Sequence, residues 1–169
     1  MRIGFGYDSH RFEPGRRLVL GGVEFPGEVG LKGHSDADVL IHAIIDALLG
    51  AAALGDIGSH FPDTDPKWKD ADSTELLAQV VKEVCGAGYS IGNIDATVIC
   101  ERPKLRPKVD EIRTRLSQLL NLSTSQLSIK GKTNEKMDDV GAGVGIEVHE
   151  VALIGEGGRG GEGGRGGKN

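Results

Sequence analysis

Three residues in the first quarter of the chain carry side chains that commonly bind transition metals. Asp8 and His10 lie two positions apart in a strand-like segment, so both side chains should lie on one face, about 7 Å apart along the chain. His42 follows in an apolar stretch with helical spacing. If the three converge, they form a site with an open position, which is typical of catalytic zinc. A polar pair at a strand end and a histidine in the core are the alternatives.

A metal-binding imidazole usually has its second ring nitrogen held by a hydrogen bond. Asp38 and Asp46 each lie one helical turn from His42. Their spacing predicts that one of these carboxylates orients the His42 ring.

His34 and Ser35 precede the apolar stretch that carries His42. Free N–H groups and the dipole at a helix N-terminus favour an anion, so this position suits a phosphate. The segment Gly33-His34-Ser35-Asp36-Ala37 is close to the nucleophile elbow of serine hydrolases, but no apolar strand precedes it, which excludes that class. No Walker or Rossmann glycine motif lies between a strand and a helix.

Three loops offer further polar groups. The segment from Gly55 to Lys69 is dense in Gly, Pro and Asp and includes Asp56 and Asp63. Lys104 lies in a proline-flanked turn, and Thr133-Asn134-Glu135-Lys136 follows a predicted strand. A cation, a hydroxyl and a carboxylate can together hold a phosphate and a hard divalent ion. Turn chemistry and solvated loop charge are the alternatives.

The apolar pattern predicts the elements that must position these residues. Strands are predicted at Arg2 to His10, Arg17 to Leu20, Ile94 to Cys100, Leu127 to Lys132 and Ile146 to Ile154. Helices are predicted from Ser35 to Gly50, from the cap at Asp72 to Gly86, and from Val109 to Leu120, and Gly21 to Gly33 and Gly55 to Lys69 are predicted to be long loops. The first two strands should pair as a hairpin with a wide loop. We expect an α+β fold, a mixed four-stranded core sheet with helices on one face and an extra hairpin.

Composition excludes several classes of protein. The chain has 169 residues and a formal charge of −5, with 20 Lys and Arg against 25 Asp and Glu. This balance disfavours a nucleic-acid partner. Cys85 and Cys100 show neither disulfide nor metal spacing, and no apolar run approaches the roughly 20 residues of a membrane span. We expect a cytoplasmic protein without a membrane partner.

The end of the chain differs from the rest. Residues 1–154 have the composition of a single domain, whereas residues 155–169 repeat Gly, Glu and Arg. The Gly-rich tail cannot bury apolar surface, so we expect it to be disordered. An RNA-binding segment is the alternative, but Glu156 and Glu162 nearly balance the positive charges of the tail.

The residues singled out above belong to motifs that follow one another from the first strand to about Ile154. These motifs are Gly6-Tyr7-Asp8-Ser9-His10-Arg11-Phe12, His34-Ser35-Asp36-Ala37-Asp38, His42, Asp46-Ala47-Leu48-Leu49-Gly50-Ala51, Gly55-Asp56-Ile57-Gly58, Phe61-Pro62-Asp63-Thr64-Asp65, Arg102-Pro103-Lys104-Leu105 and Thr133-Asn134-Glu135-Lys136. Together they resemble the 2-C-methyl-D-erythritol 2,4-cyclodiphosphate synthase family of the non-mevalonate isoprenoid pathway.

The resemblance implies a metal-dependent enzyme, a phosphorus-oxygen lyase. Its substrate would be the cytidine diphosphate compound 4-diphosphocytidyl-2-C-methyl-D-erythritol 2-phosphate, and its products the cyclic diphosphate and CMP. Because a phosphate of the substrate attacks the diphosphate, no protein nucleophile is needed, and the protein positions the groups and neutralises their charge. The resemblance also implies a homotrimer with sheets that face the trimer axis and active sites between neighbouring subunits. A plastid location would apply if a transit peptide had been removed.

The resemblance further assigns roles to individual residues. Zinc would bind to Asp8, His10 and His42, and magnesium or manganese would bind to Glu135 together with the substrate phosphates. The residues implied to bind substrate are Asp8, His10, His34, Ser35, Asp56, Gly58, Asp63, Cys100, Pro103, Lys104, Leu105, Lys132 and Thr133. Within that set, His34 and Ser35 would contact phosphate. Asp56, Gly58 and Asp63 would contact the erythritol part. The cytidine nucleotide would be contacted by Cys100, Pro103, Lys104, Leu105, Lys132 and Thr133. The implied catalytic residues are His34, Lys132, Thr133 and Glu135.

This chain departs from the family pattern at two places before residue 155, and its Gly-rich tail has no counterpart in the family. The turn before the last strand often carries Arg-Gly-Glu-Gly in the family but is Ala142-Gly143-Val144-Gly145 here, and Asn134 replaces the more usual threonine. In many members those two charges line a cavity on the trimer axis that accepts an isoprenoid diphosphate, so their loss disfavours feedback by such a ligand. A phosphoesterase that uses water and a non-catalytic trimeric binding protein stay open as alternatives.

Overall fold

The computed structural model describes residues 1–157. The strands are β1 (Arg2–Glu13), β2 (Val19–Leu20), β3 (Val23–Glu24), β4 (Gly30–Leu31), β5 (Tyr89–Ile99), β6 (Leu127–Lys132) and β7 (Gly145–Glu156). The helices are α1 (Val39–Ala52), α2 (Ile57–His60), α3 (Ser73–Gly86), α4 (Val109–Leu120) and α5 (Asp138–Gly141). The last strand therefore includes Gly155 and Glu156, the first two residues of the Gly-rich tail. The prediction that the tail is disordered is therefore wrong for Gly155 and Glu156. Residues 158–169 of the tail lie outside the described residues.

Five strands form one mixed sheet in the order β4-β1-β7-β5-β6. Strands β5 and β6 are parallel, and the other neighbours are antiparallel. The α+β fold with a mixed sheet is confirmed, but the predicted count of four strands is corrected to five. The fifth strand is β4, in which Leu31 and Gly30 pair with Phe12 and Glu13 at the end of β1.

The predicted hairpin between the first two strands is wrong. Strand β1 pairs with β7 over ten consecutive residues, from Arg2 opposite Ile154 to Arg11 opposite Gly145. The segment that was predicted as its hairpin partner contributes β2, which pairs with β3 in a separate two-stranded sheet. The turn residues after β1 indicated that the chain reverses there. They carried no information about which distant strand would pair with β1.

Helix α1 begins later than predicted. Ala37 has a positive φ of 60°, so the residues after Ser35 are not helical. The N-cap is Asp38, whose carboxylate accepts hydrogen bonds from the N–H groups of Ile41, Gly21 and Gly22 at 3.1, 2.9 and 2.7 Å. Burial raises the pKa of Asp38 to about 6. The start predicted at Ser35 is therefore wrong, since the capping carboxylate lies three residues further on.

Two glycines allow α1 to lie directly on β1. A Cβ atom at Gly4 would lie 1.8 Å from the carbonyl oxygen of Ala47, and one at Gly6 would lie 1.9 Å from that of Ala43. Any side chain at these positions would push the helix away from the strand. This close approach brings His42, next to Ala43, over the strand that carries Asp8 and His10.

The bounds of the remaining helices agree with the sequence pattern, and one predicted loop contains short helical turns. Helices α3 and α4 lie within one residue of their predicted bounds, and Asp72 is the N-cap of α3, as predicted. The predicted loop from Gly55 to Lys69 contains α2 and a 3₁₀ turn at Pro66–Trp68, which are too short to give a periodic pattern.

One face of the sheet carries exposed apolar side chains. Ile3, Phe5, Tyr7 and Val151 have exposed fractions of 72%, 61%, 43% and 41%. The first three alternate along β1 and point away from α1, because Gly4 and Gly6 between them face the helix. None of the helices within residues 1–157 is long and apolar enough to cross a membrane.

Candidate metal centre

The three residues predicted to bind a metal converge. Asp8, His10 and His42 each offer one ligand atom, and all three atoms lie within 4.8 Å of one another. The His42 Nδ1 lies 3.1 Å from Asp8 Oδ2, and the His10 Nδ1 lies 3.6 Å from Asp8 Oδ1. Strand alternation places Asp8 and His10 on one side of β1, and α1 supplies His42 above them. The predicted convergence is confirmed, and the group could hold a metal ion.

The backbone determines which nitrogen of His10 is available. Its Nδ1 lies 2.6 Å from the carbonyl oxygen of Ser9. A carbonyl only accepts hydrogen bonds, so Nδ1 carries the proton and donates it. The lone pair of His10 is therefore on Nε2, where a metal can bind it.

The second nitrogen of His42 contacts hydroxyl groups and not a carboxylate. Its Nε2 lies 3.0 Å from Ser73 Oγ and 3.2 Å from Ser35 Oγ. The predicted roles of Asp38 and Asp46 are wrong, because backbone N–H groups occupy both carboxylates. Asp38 caps α1, and Asp46 accepts a hydrogen bond of 2.7 Å from the N–H of Ile57 in α2. Ser73 gave no signal in the sequence beyond its place after the cap of α3.

The electrostatics of the centre favour a cation. Burial lowers the pKa of His42, but the hydrogen bond and the negative charge of Asp8 outweigh this effect, so the pKa is raised above its ordinary value. A raised pKa means that the His42 ring holds an extra proton more readily, on the side that faces Asp8. A bound metal would replace this proton between the imidazole and the carboxylate. Two imidazoles and one carboxylate are the donors of a catalytic transition-metal site, so these residues fit such an ion.

The centre lies in a pocket of about 420 Å³. Of the other residues predicted to bind substrate, His34, Ser35, Gly58 and Asp63 line the same pocket. Asp56 does not line this pocket but directly precedes Ile57 and Gly58, which do. Its carboxylate caps α2 by accepting a hydrogen bond of 2.8 Å from the N–H of Ser59. The structure thus places both predicted phosphate contacts, and two of the three predicted erythritol contacts, around the metal centre.

Sequence reasoning missed an aromatic pair in this pocket. Phe61 and Trp68 pack edge to face with ring centroids 4.9 Å apart, and both line the pocket. Aromatic residues are scarce in this chain, at 4%, so two of them in one polar loop were an available signal. Their rings give the pocket an apolar wall.

A second pocket, of about 700 Å³, lies at the ends of β5 and β6. Its lining includes all six residues predicted to contact the nucleotide: Cys100, Pro103, Lys104, Leu105, Lys132 and Thr133. Burial raises the pKa of the Cys100 thiol to about 11, so this cysteine is a poor nucleophile at neutral pH.

Glu135 lies beside the second pocket. Its side chain is exposed, and its Oε1 accepts a hydrogen bond of 2.9 Å from the hydroxyl of Thr133. Within residues 1–157, this pocket and the metal pocket share no lining residue. One chain therefore holds the two groups of predicted site residues in separate places.

Comparisons with known proteins agree with this geometry. Residues 1–155 match the YgbB family. A 2-C-methyl-D-erythritol 2,4-cyclodiphosphate synthase from Salinibacter ruber is 58% identical over 154 residues, which are 91% of this chain and 98% of that protein. The bifunctional IspDF from Campylobacter jejuni is similar with a TM-score of 0.89 and 39% identity, over 92% of this chain and 42% of that one. A solved 2C-methyl-D-erythritol-2,4-cyclodiphosphate synthase in a form bound to CDP gives a TM-score of 0.84 and 38% identity, over 91% of this chain and 100% of that one.

Proposed function

Since the chain belongs to the YgbB family, we propose that it converts 4-diphosphocytidyl-2-C-methyl-D-erythritol 2-phosphate to 2-C-methyl-D-erythritol 2,4-cyclodiphosphate and CMP. The reaction is a metal-dependent intramolecular phosphoryl transfer, in the phosphorus-oxygen lyase class. The observation that carries this proposal is the convergence of Asp8, His10 and His42 in a pocket with polar groups suited to a phosphate.

Two metal sites belong to the proposal. Asp8, His10 and His42 would hold zinc, and Glu135 would hold magnesium or manganese jointly with the substrate phosphates. When bound, these ions would polarise phosphate oxygens and neutralise charge. Thr133 supports the second site, since its hydrogen bond restrains the exposed carboxylate of Glu135.

The metal pocket binds the phosphate and the erythritol part. Ser35 presents its hydroxyl and His34 its ring to the pocket, and the His34 Nε2 lies 3.4 Å from the carbonyl oxygen of Asp65. Asp56, Gly58 and Asp63 contact the erythritol part. Phe61 and Trp68 limit the entry of water, which favours attack by the substrate's own phosphate.

The second pocket binds the cytidine nucleotide. Buried Pro103 and Leu105 give it an apolar surface, and Lys104 and Lys132 offer two ammonium groups to the phosphates. Local cations are needed because the protein has a formal charge of −5 and the substrate is itself an anion. The similar structure bound to CDP supports this assignment.

We propose that the active enzyme is a homotrimer with the sheets facing its axis. The exposed face that carries Ile3, Phe5, Tyr7 and Val151 is an apolar patch suited to burial against another subunit. The separation of the two pockets supports the same assembly, because the metal centre of one subunit could then meet the nucleotide pocket of its neighbour.

The proposal is tested by the mass of the products. The protein is incubated with the cytidylyl substrate before and after treatment with a chelator, and again after zinc and magnesium are restored. We expect the cyclic diphosphate and CMP with metal, and no turnover after chelation. A linear phosphate would show hydrolysis by a phosphoesterase, and CMP binding without turnover would show a non-catalytic binding protein; either result would refute the proposal.

A further inference from the structure

We propose that Ser73, held by Asp36, is the positioning residue that presents Nδ1 of His42 to the metal. This inference rests on the proposed zinc site and names a residue outside the ligand set. Ser73 is the first residue of α3, and it is completely buried. It reaches His42 across the interface between α1 and α3.

Asp36 engages both donors of Ser73. Its Oδ2 accepts a hydrogen bond of 3.1 Å from the Ser73 N–H, and its Oδ1 accepts a short one from the Ser73 hydroxyl. The backbone N–H of Asp36 also donates to the carbonyl oxygen of Ala71, at 3.0 Å. The loop before α1 is thereby tied to the start of α3.

The position of each proton follows from these contacts. A serine hydroxyl has one proton, and in Ser73 that proton is given to Asp36. Toward His42, 3.0 Å away, Ser73 Oγ can therefore only accept. The His42 Nε2 must then carry a proton, which leaves the lone pair of the neutral ring on Nδ1. Nδ1 is the nitrogen that faces Asp8, at 3.1 Å.

Ser35 has a different part in the same contact. Its Oγ accepts a hydrogen bond of 3.2 Å from the N–H of Ala37 and lies 3.2 Å from the His42 Nε2. The protonated Nε2 is shared between the two serine oxygens, and the nearer one belongs to Ser73. The Ser35 proton is then free to point into the pocket, where it can be donated to a phosphate oxygen.

The test measures zinc affinity by competition with a chelator, using zinc alone and no substrate. Ser73→Ala removes the acceptor but keeps α3, because alanine favours a helix and the N-cap Asp72 is unchanged. We expect about a 10-fold to 100-fold loss of zinc affinity, the range typical of lost partners of metal ligands. The matched control is Thr74→Val, which removes a neighbouring hydroxyl that bonds to Asp72 and should keep the zinc affinity of the wild type.

A spectroscopic measurement accompanies the affinities. In the zinc-loaded wild type, NMR of ¹⁵N-labelled histidine should show a slowly exchanging proton on the His42 Nε2, and in Ser73→Ala this proton should exchange faster. A proton on Nδ1, or a zinc affinity of Ser73→Ala within twofold of the wild type, would overturn the role of Ser73. A wild-type protein that binds no zinc would overturn the metal site as well, so the two failures are distinguishable.

Discussion

Replacement of the buried Glu150 by glutamine should change how the stability of the fold depends on pH. Glu150 lies on β7, where it pairs with Gly6 of β1 and Ala96 of β5, and it is only 1% exposed. Neither carboxylate oxygen has a hydrogen-bond partner among residues 1–157. Burial raises the pKa of Glu150 well above its ordinary value, and the nearby charge of Asp95 adds to this effect. The folded protein therefore holds a proton that the unfolded chain releases.

The sign and size of the effect follow from proton linkage. Below the ordinary pKa of glutamate both states are protonated, so the contribution of Glu150 to stability is complete. As the pH rises toward the raised pKa of the folded state, only the unfolded chain loses its proton. The free energy of unfolding then falls with rising pH, by at most about 1.4 kcal/mol per pH unit for this one proton.

Glu150→Gln removes this titration while keeping nearly the same shape. We expect the stability difference between the variant and the wild type to shift in favour of the variant as the pH rises, by up to about 1.4 kcal/mol per pH unit, the limit for one proton. The assay is urea unfolding followed by circular dichroism from pH 5 to pH 8, at one protein concentration. The control is Glu156→Gln, at an exposed position of the same strand, which should keep the wild-type slope. A constant difference between Glu150→Gln and the wild type across this range would refute the reasoning.

Three further substitutions test the site and its support. His42→Ala should abolish turnover and zinc binding at a modest cost in stability, because α1 keeps its apolar face; unfolding with unchanged activity per folded molecule would mean that His42 is only a core residue. Glu135→Gln should slow turnover and weaken activation by magnesium while the zinc content, measured by metal analysis, is retained; full activity would refute its role. Gly6→Ala should lower the melting temperature and the zinc affinity, because its Cβ would lie 1.9 Å from the Ala43 carbonyl oxygen. Gly50→Ala is the matched control, since a Cβ there has nothing within 4 Å and alanine in a helix should add about 1 kcal/mol of stability.

The sequence was most informative where the relevant signal is local. Helical spacing and caps gave α3 and α4, and strand alternation put Asp8 and His10 on one face. The resemblance to the family contributed six of the residues that line the second pocket. These predictions needed only neighbours along the chain or the resemblance of whole motifs.

The predictions that failed required knowledge of distant partners. Ser35 and Asp38 are both good capping residues, and the bonds from Gly21 and Gly22 that favour Asp38 come from another loop. In the same way, the spacing of Asp46 made it a reasonable partner for His42. In the structure its carboxylate instead accepts a hydrogen bond from an N–H group of α2. Ser73 was missed because it meets His42 only after two helices have packed together.

The separation of the two pockets has a consequence for how defects combine. If neighbouring subunits complete each site, a chain without the metal centre and a chain without the nucleotide pocket are each inactive alone. A mixed assembly of the two chains nevertheless contains a junction at which an intact metal centre meets an intact nucleotide pocket. Activity could then be recovered by co-expression of two defective genes. The activity of such an assembly would then depend on which two subunits meet at each site, and not on whether either chain is intact throughout.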